Sequence, residues 1–201
     1  MIKSFNKIKC KLIKKGHNPV CILTVKNNKV VDGITLLPGK YVLKNITKDS
    51  ITNKEINSLK SLSDLKLIPK IYFINKNKMI MDYFDGVTLQ DYLKKHKLSE
   101  KLYLKIRKLV FKWHRLGYAH GDLALLFSSK TNKLVGGAEN LLVGDKEIIL
   151  IDPLLGKIYD NKLSQFDIRR NWDIQFLKEL KFYVNRSIKE VFELTGIGNK
   201  Q

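Results

Sequence analysis

The chain has 201 residues, 44% of them hydrophobic, and a formal net charge of +19. That size suits one compact unit or two small lobes sharing a cleft, and no apolar run approaches the roughly 20 residues needed to cross a bilayer. The polar start, Met1 to Lys7, lacks the apolar stretch of a secretion signal. The only cysteines, Cys10 and Cys21, are spaced for neither a redox pair nor a zinc site, so two thiols on neighbouring strands in a reducing cytoplasm are the default.

In chain order, Lys7 to Lys14 and Val20 to Lys26 read as strands, with Lys15-Gly16-His17-Asn18-Pro19 as the turn between them. Asn27-Asn28 reads as a second turn, Val30-Val31 as a continuation of the sheet and Tyr41 to Ile46 as a further strand. Ile51, Ile56, Leu59 and Leu62 keep helical spacing, with Ser50 or Thr52 as the N-cap. Ile68 to Ile74 and Met79 to Phe84 are two strands joined by the polar Asn75 to Lys78. After Gly86 the pattern turns helical: a short helix at Leu89 to Lys95, then a longer one capped by Ser99. The longer helix carries its apolar positions Leu102, Ile106, Leu109, Val110, Trp113 and Leu116 on one face and ends at Gly117. Short strands follow at Leu141 to Val143 and Ile148 to Ile151, with helices at Phe166 to Tyr183 and Ser187 to Leu194.

The charge has two readings. One is a polyanion partner, RNA or an anionic membrane surface. The other is a coding bias, because lysine far outnumbers arginine, which occurs only at 107, 115, 169, 170 and 186. The spread of lysines along the whole text argues against one focused patch.

Three separated groups carry the chemistry. Asp122 follows a helix and the pair His120-Gly121, where a carboxylate can orient an accepting hydroxyl. Asn140 precedes one short strand and Asp152 ends the next, so a hairpin brings two oxygen ligands suited to Mg²⁺ to one end. Phosphoryl transfer from ATP needs that order of groups. Lys44, at the end of Tyr41-Val42-Leu43, is placed to hold phosphates, and Glu55 on the next helix to pair with it. The bland alternatives are a turn aspartate, a turn asparagine, a strand-end acid and two surface charges.

Together, Val42-Leu43-Lys44, Glu55, Ile68 to Tyr72, Met81 to Leu89, Leu116 to Leu123, Glu139 to Val143 and Ile151-Asp152-Pro153 resemble the protein-kinase-like superfamily. The likeness is to its small atypical members: the RIO kinases, the compact kinase of the KEOPS complex and the bacterial lipopolysaccharide-core heptose kinases. The resemblance implies a two-lobed α+β fold in a single kinase-like domain. A small β-rich N-lobe would run to about residue 82, a hinge over about 81–86 and a reduced helical C-lobe over about 87–195. It implies Lys44 on phosphates anchored by Glu55, Asp122 as catalytic base, and Asn140 and Asp152 on Mg²⁺. Met81 to Phe84, Tyr83 included, would take the adenine edge of ATP through backbone groups. Asp173 would brace the catalytic loop from below.

The chain departs from that pattern in three places. Phe127 stands where relatives place the asparagine, so Ala124 to Ala138 must hold an insertion. Asp152-Pro153 replaces Asp-Phe-Gly, and no Ala-Pro-Glu element follows. The implied activity is phosphoryl transfer to a hydroxyl, first a protein serine or threonine, alternatively a sugar or other small hydroxyl compound. The rival is a pseudokinase, a nucleotide-responsive binding module on RNA or a ribonucleoprotein.

Overall fold

Alternating side chains with apolar cross-strand partners build the first half of the chain. In the computed structural model, which describes residues 9–14, 20–46, 52–128, 133–152, 165–187 and 189–191, the chain divides into two units, Met1–Phe84 and Asp85–Gln201. The expected turn at Lys15 to Pro19 lies outside the described residues, as does the segment from Pro153 to Ser164.

The first unit is an antiparallel sheet of five strands: β1 (Lys9–Lys14), β2 (Val20–Val25), β5 (Gly39–Asn45), β7 (Lys78–Asp82) and β6 (Ile71–Ile74), in that spatial order. Strand alternation sends Tyr41 and Leu43 of β5 into a core with Cys21, Leu23 and Ile80. Burying each such side chain contributes about 1.5–3 kcal/mol. Val30-Val31 does not continue this sheet. It lies in β3 (Lys29–Val31), which pairs with β4 (Ile34–Leu36) as a separate hairpin. The cause is the two-residue turn Asp32-Gly33, both at positive φ (52° and 80°), a turn that folds a strand back on itself. Helix α1 (Asn53–Asp64) is capped by Thr52 and buries Ile56, Leu59 and Leu62. The expected pair of thiols is corrected: Cys10 and Cys21, on neighbouring strands, are joined as a disulfide.

The second unit opens with β8 (Val87–Thr88) and α2 (Leu89–Lys95), whose N-cap Thr88 accepts a hydrogen bond from the Asp91 backbone. Ser99 caps α3 (Glu100–Arg115), which buries Tyr103, Ile106, Val110 and Trp113 on one face. Gly117, at φ 79°, closes that helix. The insertion expected within Ala124 to Ala138 forms a hairpin of β9 (Leu125–Ser128) and β10 (Lys133–Gly137). A single 3-10 turn, Ala138–Asn140, then leads into β11 (Leu141–Val143), which sits between β12 (Ile148–Leu150) and β8. Helix α4 (Gln165–Lys181) contacts α3 and buries Asp173, Phe176, Leu177 and Leu180. The last expected helix is described only over residues 189–191. No helix among the described residues is long and apolar enough to cross a membrane.

Candidate active site

The second unit gathers Asp122, Asn140 and the end of β12. A hairpin returns the chain to its starting point, so β9 and β10 deliver Asn140 next to the loop they interrupt. The Asn140 amide donates from Nδ2 to Asp122 Oδ2 at 2.8 Å and to the Asp122 carbonyl at 3.1 Å. The Asn140 carbonyl in turn accepts from the Ile151 N–H at 2.8 Å, which ties it to the residue before Asp152. With Nδ2 committed to Asp122, Oδ1 is the atom Asn140 has to offer a cation.

Asp152 is exposed and sits at φ 51°, a left-handed conformation that costs an L-residue about 1–2 kcal/mol, though Asp is among the few that adopt it. Hard oxygen donors of this kind fit Mg²⁺. Among the described residues, no three His, Cys, Asp or Glu side chains converge to hold a metal by themselves. A cation here would therefore rest on Asn140 and Asp152 together with its other ligands.

The loop is fixed from beneath by buried groups. Asp173, on α4 and only 1% exposed, accepts the backbone N–H of His120 at 2.8 Å and of Gly121 at 2.9 Å. Its Oδ2 also meets His114 Nε2 at 3.0 Å. His114 lies in the last turn of α3, so one carboxylate joins α3, α4 and the loop. A buried carboxylate is costly unless its lone pairs are filled, and here three donors fill them.

His120 makes a second link. Its Nε2–H donates to the Ile151 carbonyl at 2.7 Å, and its Nδ1 accepts the Asp122 N–H at 3.3 Å. Burial holds its pKa below the ordinary imidazole value, against smaller upward pulls from the Ile151 carbonyl and from Asp173, Asp122 and Asp152. The ring thus couples the backbones that carry Asp122 and Asp152. Gly121 is required twice over: φ is 73°, and a Cβ there would lie 2.5 Å from Arg169 Cγ.

Sequence reasoning missed His114 and the bridging role of His120. The available signal was a polar ring inside the apolar pattern of α3, and an imidazole immediately before a turning glycine.

The first unit places the other expected residues. Lys44 lies on the face of β5 opposite Tyr41 and Leu43, between Val20 of β2 and Met79 of β7. Val42 lies on the same face between Ile22 and Met81, and all three are half-buried, so Lys44 stands beside a flat apolar strip. The structure gives Glu55 a partner other than the expected Lys44. Glu55 is the third residue of α1, where its carboxylate accepts the Thr52 N–H while Thr52 Oγ1 accepts the Glu55 N–H, a reciprocal cap. The local helix terminus wins because its donors lie within one turn of the acid. Of the expected adenine-binding backbone, Asp82 N–H donates to the Lys70 carbonyl at 2.9 Å and Tyr83 N–H to the Lys40 carbonyl at 3.4 Å. Lys40 also sits over the Tyr83 ring, 5.4 Å from its centroid.

No protein-family model matches the chain. It is 28% identical over 170 residues to the probable bifunctional tRNA threonylcarbamoyladenosine biosynthesis protein of Methanosphaera stadtmanae. That match takes in 80% of this chain and 28% of the relative, so the chain spans little more than a quarter of the relative's length. Among solved structures, the Cydia pomonella granulovirus kinase PK-1 superposes with a TM-score of 0.54 at 18% identity, over 79% of this chain and 55% of that one.

Proposed function

Because the chain has the protein-kinase-like α+β fold, with a β-rich first unit and a reduced helical second unit, we propose that it is an ATP- and Mg²⁺-dependent phosphotransferase of the small atypical kind. The γ-phosphoryl group of ATP passes to a hydroxyl, foremost that of a protein serine or threonine, alternatively that of a sugar or other small hydroxyl compound. The acceptor oxygen forms a bond to phosphorus, the bond to the departing ADP oxygen breaks, and the hydroxyl proton goes to Asp122. Asn140 and Asp152 would hold Mg²⁺, which when bound supplies neutralisation of phosphate charge. Lys44 would supply an ammonium for phosphate, and the half-buried strip of Ile22, Val42 and Met81 beside it would offer a base a flat apolar surface. Most of the rate comes from positioning and charge.

The observation that carries this reading is the Asn140–Asp122 hydrogen bond. Seventeen intervening residues could have separated the two groups, and the hairpin instead brings them back into contact. The cytoplasm is the compartment that goes with a small kinase, whereas the Cys10–Cys21 disulfide goes with an oxidising one, and a fractionation experiment decides between them.

The test is transfer of labelled γ-phosphate to the protein itself or to a panel of protein and sugar acceptors. Label is expected with Mg²⁺, is lost on chelation, and falls by about 10²–10⁴ in Asp122→Ala without loss of fold. Binding of ATP with no transfer under any acceptor would overturn it. That outcome would favour a nucleotide-responsive module acting on RNA, a reading supported by the net charge of +19 and by the tRNA-modifying relative.

A further inference from the structure

Helix α3 carries a row of cations that the phosphotransfer reading does not use. Lys101, Lys105, Lys108, Lys112 and Arg115 recur every three or four residues, and all five are exposed. That spacing sets them on one face of the helix, over a length of about 21 Å at 1.5 Å per residue. The opposite face, with Ile106, Val110 and Trp113, is fully in the core. Among the described residues none of the five enters an ion pair. Glu100, at the start, is the only acid of the helix. At the N-terminal end of the row, Lys101 and Lys105 line a cavity together with Asp145, Lys146 and Glu147 of the β11–β12 turn.

A lysine-rich composition alone does not make such a face. On α1 the exposed positions are Asn53, Lys54, Asn57, Lys60, Ser61 and Asp64, which dilute charge with polar groups and an acid. On α2, Lys94 is paired with Asp91 at 2.7 Å. On α4, Asn171, Trp172 and Gln175 interrupt the cations. Like charges three and four residues apart also oppose helix formation, so the α3 row exists against a local cost.

We infer that the exposed face of α3 is a binding surface for the phosphate backbone of RNA. The five cations form a line of point charges with no amide or aromatic side chain among them to read bases, which fits contacts to backbone phosphates. A bilayer is a poor match, because the apolar side of the helix is committed to the core and cannot insert. The phosphate chemistry itself is independent of phosphotransfer. The choice of RNA over DNA rests on the RNA-binding alternative named under the proposed function, which the likeness to a tRNA-modifying relative supports.

The test measures binding of a fluorescein-labelled RNA stem–loop across a salt series. The full chain is compared with the variant K101Q/K105Q/K108Q/K112Q/R115Q and with a variant of equal charge loss elsewhere, K54Q/K60Q/K95Q/K178Q/K181Q. The α3 variant is expected to lose about 10-fold or more in affinity at moderate salt. Its slope of log K against log salt should become shallower by up to about 3.5–4.5, because each of five lost phosphate contacts removes about 0.7–0.9. The control variant should keep most of both, and the melting temperature of the α3 variant should not fall. Unchanged affinity and slope in the α3 variant, or equal loss in the control, would overturn the inference. So would tighter binding to a DNA stem–loop of the same sequence, or to phosphatidylserine vesicles. Phosphate transfer measured on the same preparations without RNA separates a failure of this surface from a failure of the enzyme reading.

Discussion

In the second unit, a carboxylate that is 1% exposed fixes the loop before Asp122 through two backbone N–H groups and a histidine, with contributions from α3 and α4. In the first unit, strand alternation sets Lys44 on the face of β5 opposite Tyr41 and Leu43, and the acid expected to anchor it is engaged in its own helix cap. The difference shows two ways of placing a charged group. Buried hydrogen bonds fix Asp122 from several elements at once, so small errors there are expensive. A side chain on a sheet face is placed by pleat and register, through the pairing of its own strand with the two beside it.

Four substitutions or conditions test this contrast, from the largest effect down. Asp173→Ala leaves the His120 and Gly121 N–H groups and His114 Nε2 without their acceptor in a dry setting. Each orphaned donor costs about 1–3 kcal/mol, so a stability loss of at least about 3 kcal/mol is expected in urea titration. A loss under about 1 kcal/mol would mean that the loop is held by something else.

Gly121→Ala combines a left-handed backbone with a Cβ driven into Arg169. About 3 kcal/mol is expected, and Arg169→Ala in the same chain should recover part of it.

The pH dependence of stability tests His120. Its folded pKa is depressed, so below the ordinary value near 6.5 the unfolded chain binds a proton that the folded chain does not. Stability contributed by this group is complete above that value. It falls as the pH drops below it, by up to about 1.4 kcal/mol per pH unit, until the folded pKa is reached. His120→Gln should flatten the slope between about pH 6 and 5. An unchanged slope would place the proton uptake elsewhere.

Glu55→Gln is the smallest. If Glu55 acts at its helix cap, about 0.5–1 kcal/mol of stability is lost and ATP affinity is kept. A large drop in ATP affinity with unchanged stability would restore the pairing with Lys44.

Much of the fold was legible as text because its elements carry local signals. The periodicity of α3, its Ser99 cap and its terminal Gly117 sit within one or two turns of each other. The strands at Leu141–Val143 and Ile148–Leu150 are short apolar runs around a polar turn. The β3–β4 hairpin was misjudged because the Asp32-Gly33 signal was read past. The exposed row on α3 was overlooked for another reason: lysines counted along the text look dispersed. Only the helical repeat, once its buried side is known, collects them on one side.

By itself the sequence determined which groups were present and in what order: an aspartate after a turning glycine, an amide and a second aspartate at strand ends, and a lysine on a strand. It also determined the fold class, because periodicity and caps are properties of neighbouring residues. Tertiary structure decided which of these groups meet. Whether Asn140 reached Asp122 depended on the β9–β10 pairing register. The use of Asp173 and His114 depended on α3 and α4 packing against each other, and the role of Glu55 depended on where α1 began. Each is a contest between a local partner and a distant one. Its outcome turns on distances and burial that neighbouring residues alone do not set.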